Sequence, residues 1–382
     1  MLSRIKDFLY RHRRKFITTG VVIGGSVFLL KWLQYKLREL QERQAKEIGE
    51  KLKRMQHYES TDRTCNQTIL GLAPALSEKT FQTLSTDDIL TKLRTNPENK
   101  LELWEELRII AFTRLVTLVY GTSMLAVTLR VQINILGGYL YKAAIENGAG
   151  ELPNQHSISL EVQTAYLSLI QHFMRDGIGR LIEVIRKNVT VVMQRYNLKQ
   201  QLTLADTETL LWSIEMALNN EKGNPIDDIA SYTLPDPGAT LASTDSAFNS
   251  MFQETLDVLE SVESTEVGLA NVSIGFSKVM DKLADYYMVP DKNGTLKNSK
   301  SNLNVESITN INGITISLAK LIPIVNGLGG KTLPMNTVGT VSNGLVPTVP
   351  DEADLMSSMI VHLLHSEKLR TLGANVYETF CH

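Results

Sequence analysis

The sequence predicts an all-α protein, an N-terminal transmembrane helix followed by a single large helical bundle, on three observations. An uncharged run, Phe16 to Leu30, sits between basic residues. Charge pairs at i,i+4 spacing follow it, and beyond Ser60 apolar residues recur at helical spacing between polar or Pro/Gly-rich breaks. The organisation read from these features is a basic tail (1–15), a membrane anchor (16–33), a charged helical stalk (34–58) and one helical domain (59–382).

The tail holds Arg11, Arg13, Arg14 and Lys15. The fifteen uncharged residues that follow are fewer than the roughly 20 that cross a bilayer core. Trp32 and Leu33 extend the run, and Lys15 and Lys31 can lay their methylene stems along lipid while their ammonium groups reach the interface. A cleaved secretory signal has the same beginning but ends in small residues. Here the run meets Lys31-Trp32-Leu33-Gln34-Tyr35-Lys36, so the segment reads as an uncleaved anchor. Gly20 and Gly24 have the spacing of a helix-packing motif, which chance also supplies. Basic residues flank the run on both sides, so charge counting leaves its orientation undecided.

In the stalk, Glu42 with Lys46, Glu47 with Lys51 and Glu50 with Arg54 are pairs in the favourable order. A solvated helix is preferred to a coiled coil because apolar heptads are absent. Ser85 with Asp88 resembles a helix cap, and Asn96-Pro97 places a cap and a first-turn proline ahead of a long helix. That helix begins amphipathic, Leu101 to Leu107, and becomes apolar almost all round from Ile109 to Leu129, with Arg114 its only charge. Leu115–Leu129 is long enough to suggest a second span, but Arg114 and Arg130 bound it and Thr117, Thr122, Ser123 and Thr128 dilute it. A buried central helix fits better. Gly137-Gly138 is expected to bend or end it, and 148–159 reads as a linker. Further helices are expected at about 160–195, 204–219, 244–285, 304–322 and 351–379, with breaks at 220–243, 286–303 and 323–350.

A net charge of −2 and a pI near 6.4 argue against a nucleic-acid binder. Two cysteines far apart, Cys65 and Cys381, suit a reducing compartment. Sequons at Asn66, Asn188, Asn271 and Asn293 would matter only in a lumen. Catalytic signals are weak. Gly330-Lys331-Thr332 resembles the end of a phosphate-binding loop, yet Val325 stands where the first glycine is required. His362 and His365 lie three apart without an accompanying carboxylate shell, and neither Asp87-Asp88 nor Glu105-Glu106 needs an acid-base reading. No catalytic residue, metal ligand or cofactor is assigned, and the expectation is a protein that is not an enzyme.

The functional reading centres on Trp104. Lys100, Leu101, Trp104, Leu107 and Arg108 share one face of a helix. Core packing explains a tryptophan at this spacing equally well, but its basic flanks and amphipathic setting suit a groove for a partner's helix.

Segments along the chain resemble the peroxin-three family of peroxisomal biogenesis factors. They include the basic cluster with its apolar run, Arg63-Thr64-Cys65-Asn66, Asn99 to Glu105, Phe112-Thr113-Arg114, Leu129 to Gln132, Gly137-Gly138-Tyr139, Ile170-Gln171-His172, Ala319 to Gly327 and Ala374 to Glu378. The resemblance implies a docking receptor anchored in the peroxisomal membrane, with its helical domain in the cytosol. Its partner would be peroxin nineteen, the chaperone of peroxisomal membrane proteins, which presents an amphipathic helix to a groove. On this resemblance the partner-binding residues are Leu93, Lys100, Trp104, Leu107, Leu140, Lys320 and Pro323, and Arg11, Arg13, Arg14 and Lys15 belong to the membrane-targeting signal. A signal-anchored receptor or tether of the mitochondrial outer membrane is the alternative.

Overall fold

A computed structural model describes residues 13–95, 98–148, 158–220, 223–240, 245–288, 313–328 and 355–381. Arg11, Asn96-Pro97, most of the 148–159 linker, Asn293 and Gly330-Lys331-Thr332 lie outside them. The chain forms two compact units, Met1–His57 and Tyr58–His382. Among the described residues helices account for nearly all regular structure. The exception is a short antiparallel pair, β1 (Gln201–Leu202) with β2 (Ile316–Ser317), in the register Gln201 to Ser317 and Leu202 to Ile316.

Helix α1 (Arg13–Thr83) includes the whole Phe16–Leu30 run and the charged segment after it. In the second unit everything is arranged about α3 (Lys100–Gly148). A helix apolar on every side has to be surrounded. The helices that pack on α3 include α5 (Ile178–Met193), α9 (Ser246–Leu259), α10 (Val262–Met288), α11 (Leu318–Gly327) and α13 (Glu367–Phe380). The Leu115–Leu129 run is buried throughout, which accounts for its apolar character without a second membrane span. Two of its hydroxyls bond backbone, Thr122 donating to the Leu118 carbonyl at 2.6 Å and Ser123 to the Gly268 carbonyl at 2.8 Å, while those of Thr117 and Thr128 are buried without a hydrogen-bond partner.

Gly137 and Gly138 neither end nor bend α3 out of helix; they sit inside it, where other chains come close. A Cβ on Gly137 would lie 2.6 Å from Thr61 Cγ2, and one on Gly138 would lie 2.9 Å from the Phe380 backbone. About two turns earlier, fully buried Arg130 pairs with Asp62 and donates to Asn66 Oδ1 at 2.7 Å. A Cβ on Gly373 of α13 would meet the Arg130 side chain at 2.6 Å. The middle of α1, α3 and α13 are therefore clamped on a buried ion pair and three close approaches.

Other helices differ from expectation for local reasons. Helix α2 (Asp87–Arg94) starts after Thr86, with the Ser85 hydroxyl accepting only a long 3.4 Å bond from Asp87 N–H. The expected helix at 160–195 is divided: α4 (Leu160–Leu167) is followed by a 3₁₀ turn, Ser168–Ile170, and a π-helical turn, Phe173–Gly177, before α5. Gly177 admits the Tyr232 carbonyl where a side chain would collide. The helices α6 (Leu204–Asn220), α7 (Ile229–Thr233) and α8 (Pro237–Thr240) then lead to α9. Asp245 caps α9 by accepting from Ala247 and Phe248 N–H at 2.8 and 3.2 Å, and Ser261 ends it by donating to the Val258 carbonyl at 2.6 Å. Helix α11 runs to Gly327 with Pro323 inside it, so the chain is still helical at residue 323, where a break was expected. Ser366 divides the C-terminal region into α12 (Leu355–His365) and α13.

The sequon asparagines that are described all lie in helices. Asn66 binds Arg130, Asn188 is 5 % exposed and Asn271 is fully buried. Cys65 and Cys381 are buried and not joined in a disulfide, and burial pushes the Cys65 thiol up to about 11.

Candidate functional site

Trp104 stands one turn inside α3, where the helix changes from solvated to buried. Lys100 and Leu101 are exposed, Leu103 and Leu107 are buried, and Trp104 is half-buried against the core. Helix α2 packs beside this first stretch of α3 and contributes half-buried Leu90 and Leu93. Its connection to α3 is short, which keeps Leu93 at the same end of the bundle. Exposed apolar area, not a closed cavity, is what this end offers.

Two arginines hold α3 in place just beyond Trp104. Arg108 pairs with Glu105 and donates to the Tyr196 carbonyl at 2.7 Å. Burial lowers its pKa, an effect Glu105 opposes. Arg114 donates to the Leu84 carbonyl at 2.8 Å and to Asn326 Oδ1 at 2.9 Å, and its guanidinium lies 4.3 Å from the centre of the Phe81 ring. Burial brings its pKa down to about 10, so it stays charged at neutral pH. The arginine that stood out in the sequence as the lone charge of an apolar stretch is thus a fastening between α1, α3 and α11.

Helix α11 is tied at both ends to this region. Leu318 and Ala319 N–H donate to the Gln200 and Leu198 carbonyls, each at 2.9 Å, in the loop whose Tyr196 binds Arg108. Asn326, near its other end, meets Arg114. Lys320 and Pro323 are exposed on the surface of this helix, above buried Leu321 and Ile322.

Leu93 and Trp104 are thus half-buried, Lys100, Lys320 and Pro323 are exposed, and the helices that carry Leu93 and Lys320 both pack on α3. Leu107, 1 % exposed, is core. Leu140 lies apart from Trp104: it is half-buried on the same helix, about 54 Å away at the α-helical rise per residue. Its neighbour Tyr139 donates to Glu254 at 2.6 Å. Arg13, Arg14 and Lys15, expected from the resemblance to belong to a targeting signal, begin α1.

His362 Nδ1 contacts the Ser358 carbonyl at 2.8 Å and His365 Nδ1 the Val361 carbonyl at 2.7 Å, which uses one ring nitrogen of each on the helix itself. Sequence reasoning passed over Trp212, which is 58 % exposed on α6 beside the buried stripe Leu211, Ile214 and Leu218. Its position one residue off that stripe was the available signal.

Comparison with known proteins places this geometry in context. The profile of the Peroxin-3 family matches residues 7–98 and 94–379. Peroxisomal biogenesis factor 3 of Rattus norvegicus is 35 % identical over 396 residues, covering 100 % of this chain and 98 % of the relative. The Homo sapiens protein of the same name is 35 % identical over 397 residues with the same coverage. Peroxisome biogenesis protein 3-2 of Arabidopsis thaliana is 26 % identical over 287 residues, covering 69 % of this chain and 78 % of the relative.

Proposed function

The chain belongs to the Peroxin-3 family of peroxisome biogenesis factors, which is not a class of enzymes, and from that premise we propose that it is a docking receptor at the peroxisomal membrane. The N-terminal segment anchors it, the helical unit faces the cytosol, and the Trp104 surface receives an amphipathic helix of peroxin nineteen, the chaperone that delivers peroxisomal membrane proteins. Insertion of those proteins, and so formation of the organelle, depends on this encounter.

The observation that carries the reading is the half-buried state of Trp104 at the edge of the core, between exposed Lys100 and the fastened Arg108. A tryptophan already seated on packed neighbours gives up little conformational freedom when a partner covers the rest of its ring. Leu93 on α2 is half-buried against the same core, Leu107 is buried one turn further along the same face of α3, and Pro323 adds rigid apolar surface on α11. Lys100 and Lys320 are exposed cations that favour an acidic edge on the incoming helix and set its direction more than its affinity. Leu140 has no part in this surface.

Titration of the full chain in detergent or nanodiscs with the partner's N-terminal peptide tests the proposal. Trp104→Ala is expected to weaken binding by at least about 2 kcal/mol with helical content retained. Equal affinity for the two proteins rules out Trp104 as the anchor.

A further inference from the structure

The unit Met1–His57 presents an apolar face that no function assigned above uses. Leu33, Leu37, Leu40, Ile48, Leu52 and Met55 are each 48–57 % exposed on α1. With Gln44 they fall within about 120° of the helix circumference. Their spacing is not a heptad. From Leu33 to Gln44, and again from Gln44 to Met55, the stripe advances by eleven residues, the repeat that keeps a stripe nearly straight on an α-helix or slightly right-handed. Outside the stripe lie charges that pair along the helix: Lys36 and Arg43 meet Glu39 at 2.8 and 2.7 Å, and Arg38 meets Glu42 at 3.0 Å. Within the stripe Lys51 is the single charge between Leu33 and Met55.

We propose that this stripe pairs with the same stripe of a second copy of the chain, forming a parallel two-helix contact next to the membrane. The inference rests on the anchoring reading, since a shared bilayer sets both helices in the same direction. Half-exposed side chains of this size offer about 600 Å² per helix, or about 1,200 Å² for a pair, the lower limit of stable interfaces. Such a contact is weak in free solution and favoured by the high effective concentration of two anchored chains. Gln44 at the centre of the stripe is suited to fixing register, as a lone polar residue does in a helical seam. A lipid surface is a poorer occupant. It would take Gln44 into the apolar layer without the amide partner that the same residue of a second copy supplies, and it would gain little from cations already paired to glutamates. Lys51 can run its stem along either occupant with its ammonium group in water.

The test uses the full chain in liposomes with single cysteines introduced on the two sides of α1. Gln44→Cys is expected to give at least about ten-fold more oxidative dimer than Lys46→Cys, because only the former faces the partner helix. Leu40→Glu with Ile48→Glu is expected to abolish that dimer while helical content and peptide binding at Trp104 stay unchanged. Equal yields at the two positions, or a Gln44→Cys dimer that survives the glutamates, overturns the proposal. So does a Gln44→Cys thiol that forms no dimer yet is shielded from a water-soluble maleimide, which would assign the stripe to lipid or to other protein. Release of the chain by alkaline carbonate would remove the anchoring reading beneath it, whereas failure of peptide binding alone would touch only the docking surface.

Discussion

At its Lys100 end α3 leaves a tryptophan half in solvent, whereas between Arg130 and Gly138 the same helix is so tightly enclosed that Thr61 and the Phe380 backbone leave no room for a Cβ. The first region has large side chains, exposed charge and spare apolar area. The second has glycines, a fully buried arginine and three helices in close contact. One helix can do both because its register is fixed between them: Arg114 holds it to α1 and α11, and Arg130 holds it to α1 and lies against α13. On the docking proposal, affinity for a partner belongs to the loose end, and stability belongs to the tight one.

The largest effect that would break this contrast is expected at the tight end. Asp62→Ala leaves the Arg130 charge buried without its carboxylate and is expected to cost about 3–5 kcal/mol in chemical denaturation, while the fraction still folded binds the partner peptide normally. Trp104→Ala should do the reverse, losing at least about 2 kcal/mol of binding for a smaller change in unfolding midpoint.

Glycine substitutions sharpen the comparison at smaller scale. Gly138→Ala is expected to lower stability by about 1–3 kcal/mol, because the new methyl meets the Phe380 backbone and overrides the helix propensity gained. Gly71→Ala, in α1 with nothing within 4 Å of the added carbon, should instead raise stability by up to about 1 kcal/mol. Two losses, or two gains, would show that close approach is not what selects glycine at position 138.

The smallest effect depends on pH. Burial raises the Glu254 pKa, and the hydrogen bond from Tyr139 opposes it. A carboxyl whose folded pKa lies above its unfolded value of about 4.5 stabilises the fold most fully below that value. The contribution is lost as pH rises through the folded pKa. Glu254→Gln should therefore flatten the fall in stability on the neutral side of pH 4.5, read from thermal midpoints across mildly acidic buffers. An unchanged profile would mean the carboxyl is ionised without penalty.

Much of this was legible in the residues. The all-round apolar character of Ile109–Leu129 marked the central helix, and three- and four-residue spacing put Lys100, Trp104 and Arg108 on one face. What spacing does not contain is the neighbour across a contact. Gly137-Gly138 reads as a breaker in any linear account, and only Thr61 and Phe380, distant in sequence, turn it into a packing site. Ser366 and Ser261 end helices through backbone bonds that hydrophobic periodicity does not register. Leu140 failed for a different reason: it was placed by resemblance, and the uninterrupted length of α3 carries it to the far end.

The buried asparagines give the fold a bias about the side of a membrane on which it can mature. A glycan transferred to Asn271 or Asn188 would have to be accommodated in the packed interior, and one on Asn66 would disturb an acceptor of Arg130. A chain threaded by mistake into a glycosylating lumen would thus be modified before it folded and then barred from folding. Misdelivery would yield material for degradation instead of a folded protein facing the wrong way.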